Sequence, residues 1–299
     1  MSGNRAAVTG SLLVYPLSLI AAALLATGSV LQQRAAAQAP HELELRLALL
    51  KWLIQRPLWL AGSAAGTVGQ LLSILALNFG PLALVQPLLV VQLLFALPVA
   101  AALQRARVPA RDWVGGSVAA IGLAVFLAVG RPTQAQAGEP GHVTWLATGA
   151  ILIGLSALLV GGGRRVRATR QAGMLGAAAG LLFALQAALA QTSFARLDRV
   201  GLAGTLASWL PYATTVVAIA GVLLLQTAYE LAPLLSSYPV VSAVTPLASI
   251  AVGVTALGGS IRLSPGPLAA EVVGLVLMTA GVGLMATSPL IARLPERIR

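Results

Sequence analysis

The chain reads as an all-α, polytopic transmembrane helical bundle of about nine spans, built as two inverted-topology repeats of four helices plus a linking helix. Three observations predict this. Of its 299 residues, 58% are hydrophobic and 9% charged, against about 25% charged in a soluble domain. The apolar residues fall in runs of the roughly 20 needed to cross a hydrocarbon core about 30 Å thick. One stretch also recurs: Gly69 to Pro98 and Gly221 to Ile250, 152 positions later, align without a gap. Gly69 falls on Gly221, Pro81 on Pro233 and Pro87 on Pro239. A glycine and two prolines six residues apart mark a duplicated helical hairpin.

In chain order, helix 1 covers about Ser11 to Gln32. It resembles a signal peptide, with AAAQA as a cleavage site, but eight further spans follow it. Residues 33–57 form a polar connection. Leu43, Leu47, Leu50 and Ile54 recur there at helical spacing with Glu44, Lys51 and Arg56 off the stripe, as expected of a helix lying in the interface. Helix 2, Leu58 to Asn78, carries Gly62-xxx-Gly66 and then Gly69, small residues on which a second backbone can seat. Helix 3, Pro81 to Leu103, is expected to break at Pro87 and Pro98. Helix 4 runs Trp113 to Gly130 and helix 5 Thr144 to Gly161. After the basic GGGRRVRATRQAG come helix 6 (Gly173 to Ala195), helix 7 (Ala207 to Tyr229), helix 8 (Ala232 to Leu257, with Pro239 and Pro246) and helix 9 (Leu268 to Ile291).

Lysine and arginine set the expected sidedness. The N-terminus and the 2–3, 4–5, 6–7 and 8–9 loops hold 5 of them, and the remaining loops with the C-terminus hold 14. The bias predicts a cell-membrane protein with its N-terminus outside and its C-terminus cytoplasmic. The same loops account for the net charge of +11 and pI near 11.6 without nucleic acid as a partner; anionic headgroups attract them instead. The absence of cysteine excludes disulfides and thiolate chemistry.

The duplication extends past the hairpin. Asp112-Trp113-Val114-Gly115 resembles Glu271-Val272-Val273-Gly274, and Gly122 then falls on Gly281. Residues 1–135 (helices 1–4) and 169–299 (helices 6–9) are therefore read as the repeats, with 136–168 carrying the linking helix 5. Corresponding helices lie an odd five spans apart, so the halves must be inverted. Exchange of roles between inverted halves is a route to alternating access.

The segments LALNFGPLALVQPLLVVQLLFALPVAAAL and LLQTAYELAPLLSSYPVVSAVTPLASIAVG, each followed by a glycine-rich helix, resemble the drug/metabolite transporter superfamily. The layout is similar to its EamA and NIPA-like branches. The resemblance covers nearly the whole chain and rests on layout and Pro/Gly positions. It implies a transporter, of small organic solutes in many members and of magnesium in the NIPA-like branch. Small multidrug exporters of the superfamily use a carboxylate deep in the first helix, and helix 1 here has none.

Candidate site residues follow from chemistry at membrane depth. Glu230, at the 7–8 turn, and Glu271, one turn into helix 9, are candidate coupling acids, because buried charge is costly. Both are also placed to be interfacial, and helix N-termini favour acids such as Asp112 and Glu271. Gln86, Gln92, Tyr238 and Thr245 lie on the two proline-containing helices, with Gln70, Gln191 and Gln226 nearby in type. A helix-interior proline frees the carbonyl four residues back, here Leu235 for Pro239 and Ser242 for Pro246. Freed carbonyls survive in a membrane only when covered by protein or lining a cavity. Beside them the amides and hydroxyls either line a solute pathway between helices 3 and 8 or pack helices together.

Magnesium prefers oxygen ligands with one or two carboxylates, and the predicted midplane has none. His41 and His142 are placed on opposite faces, so no metal site is expected of them. No HExxH, GxSxG or Walker A occurs, so neither an enzyme nor a cofactor is expected. The expected function is secondary transport of a small polar or amphipathic metabolite by alternating access. A divalent cation transporter and a non-transporting accessory protein remain as alternatives. The expected partners are that substrate and the lipid bilayer; a homodimer is left open.

Overall fold

The computed structural model describes residues 2–77, 79, 85, 88–103, 105, 107–130, 141–256 and 265–286. Asn78, Gln86 and Pro87 lie outside the described residues. Every regular element among those described is helical.

The helices are α1 (Ser2–Ala36), α2 (Leu47–Leu53), α3 (Pro57–Leu77), α4 (Gln92–Leu103), α5 (Ala110–Gly130), α6 (His142–Gly163), α7 (Ala168–Leu206), α8 (Leu210–Leu231), α9 (Leu234–Thr255) and α10 (Pro265–Ala286). Six, α1, α3 and α6 to α9, are long and apolar enough to cross a membrane. The chain is a multi-pass membrane protein. At 12 residues α4 rises only about 18 Å; α5 and α10 have 21 and 22 residues.

Several boundaries differ from expectation. Helix 1 does not stop at Gln32-Gln33-Arg34: α1 continues to Ala36, because those polar side chains find partners at the bundle's end. The interfacial stretch is a single 3-10 turn, His41–Leu43, followed by the seven-residue α2. Helix 6 is extended at both ends into α7, which carries a break at Gly201, where φ is +72°. Pro98, Pro239 and Pro246 do not break their helices. α4 runs on through Pro98, and α9 through Pro239 and Pro246, since a proline removes one backbone hydrogen bond while its neighbours hold the turn.

Helix pairing follows the small residues. α3 lies along α1, where a Cβ on Gly28 would stand 2.7 Å from the Gly62 carbonyl oxygen and one on Gly69 3.0 Å from that of Ala21. α7 packs on α8 and on α9, seating Gly176 and Gly180 against Ser237 and Val244. α1 also packs on α4, and α6 rests on α7.

The tightest approach is between α5 and α10. A Cβ on Gly122 would overlap the Met278 backbone nitrogen and stand 2.6 Å from the Gly274 carbonyl oxygen. One on Gly281 would overlap the Ala119 nitrogen and stand 2.5 Å from the Gly115 carbonyl oxygen. The contacts run antiparallel, Gly115 against Gly281 and Gly122 against Gly274. Small residues at this spacing let backbones meet, which is how helices associate where apolar burial supplies no drive.

Candidate functional site: a polar end between the first and last thirds of the bundle

Polar side chains gather where α1 ends and α8 turns into α9. On α1, Ser29, Gln32 and Gln33 are spaced i, i+3, i+4; on α8, Gln226, Tyr229 and Glu230 have the same spacing. Each trio therefore shares one helix face, and α1 packs on α8. Gln226 donates its Nε2 hydrogen to Gln32 Oε1 at 2.8 Å, and Gln32 Nε2 reaches Ser63 Oγ on α3 at 3.4 Å. Gln33 Nε2 is shared by the carbonyl oxygens of Tyr229 and Ala232, each at 3.4 Å. These are carbonyls of the α8 terminus, which need such partners. Ser29 stands beside the Tyr229 and Tyr238 phenols.

The α1–α3 connection crosses this end as a strap. His41 Nδ1 lies 2.6 Å from Glu230 Oε1. The Glu230 side chain is fully buried, whereas that of His41 is 55% exposed. Leu45 N–H donates to Thr227 Oγ1 at 3.4 Å, and Gln171 Nε2 on α7 donates to Glu44 Oε1 at 2.8 Å. Leu45 sits at φ +56°, a left-handed conformation that costs a branched apolar residue on the order of 1–3 kcal/mol and is kept only where the surroundings dictate it. Arg34 Nη1 donates to the Leu103 carbonyl at the end of α4. The ends of α1, α4, α6 and α8 and the starts of α3, α7 and α9 thus share a face with the arginine-rich connections.

The expected site residues divide. Gln226 and Tyr238 are buried in the polar end. Gln92 is half-buried at the first residue of α4, and Thr245 is half-buried with its hydroxyl donated to the Val241 carbonyl of its own helix at 2.8 Å. Gln70 and Gln191 are exposed on α3 and α7 and do not join the cluster. Pro239 is buried, Pro246 half-buried and Pro98 exposed. Gln86 and Pro87 lie outside the described residues, as does the side chain of Glu271.

Glu230 differs from the shallow interfacial acid expected: the strap covers it. His41, set aside in the sequence because His142 is far from it, is its partner. Ser29, Gln32, Gln33, Tyr229, Ser236 and Ser237 were signalled only by helical spacing.

The chemistry here is hydrogen bonding. Buried Gln226 Oε1 and the buried Ser236 and Ser237 hydroxyls find no partner among the described residues. Buried polar atoms ordinarily have one, so these can serve water or a polar solute. Also among the described residues, no three acidic or histidine side chains converge on a point that could hold a metal ion.

No protein-family model and no solved structure matches the chain. It is similar to an uncharacterized protein of Corynebacterium glutamicum, with 25% identity over 281 residues, spanning 93% of this chain and 96% of that one. The similarity thus covers nearly the whole chain rather than one segment.

Proposed function

We propose that the protein is a secondary transporter of a small polar or amphipathic metabolite, working by alternating access between two inverted halves. The observation that carries this reading is the reciprocal glycine seam. The repeat alignment puts Gly115 on Gly274 and Gly122 on Gly281, while the contacts pair Gly115 with Gly281 and Gly122 with Gly274. Two equivalent helices meeting across a twofold axis must pair in this crossed way. The packing within the halves supports it too: α3 on α1, α4 on α1 and α5 beside α4 correspond to α8 on α7, α9 on α7 and α10 beside α9.

In this reading the basic face is cytoplasmic, and the N-terminus lies outside. The strap ties the first half to the second there and closes that face. The solute would meet the amide, hydroxyl and phenol groups between α1 and α8–α9, so the pathway is shifted from the α4–α9 interface toward α1. The lining is mostly amide, hydroxyl and phenol, and its one carboxylate, Glu230, lies against His41, an arrangement that suits a polar metabolite better than a magnesium ion. The resemblance to the drug/metabolite transporter superfamily agrees with the layout.

The test is a thermal-stabilisation screen of the purified protein against metabolites and divalent ions, followed by flux of any hit in proteoliposomes. A solute that binds the folded state raises the melting temperature, by about 2.7 kcal/mol of stabilisation at a hundredfold excess over Kd. Tyr238→Phe and Gln92→Leu should cut flux of the hit about tenfold, with the former the larger, at unchanged expression. Absence of any stabilising solute, or full flux in both variants, sinks the reading.

A further inference from the structure

A cavity of about 480 Å³ opens on the basic face, lined by Glu44, Leu45, Arg46, Arg164 and Gln171. No ion pair or hydrogen bond engages the Arg46 or Arg164 side chain among the described residues, although both are exposed and both line the space. The carboxylate in the lining, Glu44, is taken by the Gln171 amide at 2.8 Å. Gln171 is itself buried, so its amide holds Glu44 at the wall. The 39-residue α7 begins three residues before Gln171, which lines the cavity, and no side chain caps its first turn, leaving backbone N–H groups of Ala168 to Arg170 for an outside acceptor. Leu45, in its left-handed conformation and fixed through its N–H to Thr227, carries the chain from Glu44, held at the wall, to Arg46 on the rim.

Two unpaired guanidiniums and an uncapped helix start outnumber the one carboxylate of the lining, which the Gln171 amide holds at the wall. We propose that this cavity binds a phosphate group, held by Arg46, Arg164 and the first N–H groups of α7. Guanidinium pairs with phosphate bidentately, and the start of a helix attracts the same charge. Monovalent carboxylates fill fewer of these donors. The phosphate can belong to an anionic lipid headgroup or to a soluble phosphorylated molecule. The cavity lies beside the strap that crosses the polar end, and the proposal stands whether or not the protein transports.

The experiment uses the purified full-length protein in a neutral detergent, with dihexanoyl-phosphatidylglycerol, dihexanoyl-phosphatidylcholine and inorganic phosphate as probes and melting temperature as readout. Phosphatidylglycerol should stabilise the wild-type protein and the zwitterionic lipid should not. Arg46→Gln with Arg164→Gln should lose at least tenfold in apparent affinity, about the effect of one charge-assisted contact, while melting normally without probe. Lys51→Gln with Arg107→Gln removes the same charge from the same face outside the cavity and should keep the full response. Stabilisation by phosphatidylglycerol alone upholds the site and makes it a headgroup site. Stabilisation by inorganic phosphate as well upholds it and opens it to soluble ligands. Equal responses of the two double variants, or no response of the wild type to either anion, overturn it.

Discussion

The seam between α5 and α10 and the polar end between α1 and α8–α9 hold the bundle together by opposite means. At the seam, glycine brings backbone against backbone, and a single added carbon has nowhere to go at Gly122 or Gly281. At the polar end, contacts pass through side chains, several near 3.4 Å, and some buried atoms find no protein partner. Interhelical hydrogen bonds of this kind contribute roughly 0.6–1.7 kcal/mol each in membranes. The seam is also more symmetric than the polar end. In the repeat alignment Tyr229, Ser237 and Gln226 fall on the apolar Leu77, Val85 and Ile74, while Tyr238 falls on Gln86 and Glu230 on Asn78. A pivot needs equivalent faces; a latch is needed only where an opening must close. The comparison teaches that the first junction leaves no room for a change of geometry, whereas the second keeps buried polar atoms without a partner among the described residues.

The largest expected effect is at the seam. Gly281→Leu should abolish folded protein, and Gly281→Ala should cost about 1–3 kcal/mol through overpacking against backbone that cannot rotate away. Thermal unfolding of the purified variant measures this. Gly283→Ala, with open space at its Cβ position on the same helix, is the matched control and should be within about 0.5 kcal/mol of the wild type. Equal melting of Gly281→Ala and Gly283→Ala would dissolve the rigid side of the comparison.

The latch should respond less. His41→Ala removes the imidazole that faces the buried Glu230 carboxylate, and losing a charge partner is strongly destabilising where both groups are buried. His41 is more than half exposed, so solvent screens the loss to about 1–2 kcal/mol. Glu230→Gln should cost less, since an amide can stay hydrogen-bonded in the same space. The double variant should show coupling of at least about 0.5 kcal/mol in a cycle of melting measurements. Additive single effects would mean that the strap is not held by this pair.

Much of this was legible before any coordinates. The Gly122–Gly281 equivalence comes straight from aligning the repeats, because close backbone contact admits little but glycine. Of the nine spans that the apolar runs suggest, six are long and apolar enough to cross a membrane among the described residues, since hydrocarbon leaves no other composition for them. What stayed hidden depends on which distant faces meet. The trio Gln226, Tyr229 and Glu230 has a readable helical spacing, but nothing in it says that Ser29, Gln32 and Gln33 lie opposite. His41 sits 189 positions before Glu230, and a lone loop histidine carries no trace of its partner. The continuity of α4 and α9 through their prolines was hidden for another reason: one lost hydrogen bond permits a break without requiring it.

The smallest effect tests whether polarity alone marks the site. Gln70 and Gln191 resemble Gln226 in type and in lying on long apolar helices, yet both are exposed on the outside of the bundle. Their amides face the surroundings of the helix and make no bond to the polar end. Leucine in either place should leave stability within about 0.5 kcal/mol and solute flux unchanged. Gln226→Leu should instead remove the 2.8 Å bond to Gln32 and leave the oxygen of that half-buried amide without its donor, a loss of about 1 kcal/mol. Melting and flux of the three variants side by side decide the matter. A drop in flux for Gln191→Leu as deep as for Gln226→Leu would mean that the solute runs along the outer face of α7, and the polar end would then be only a fastening between the halves.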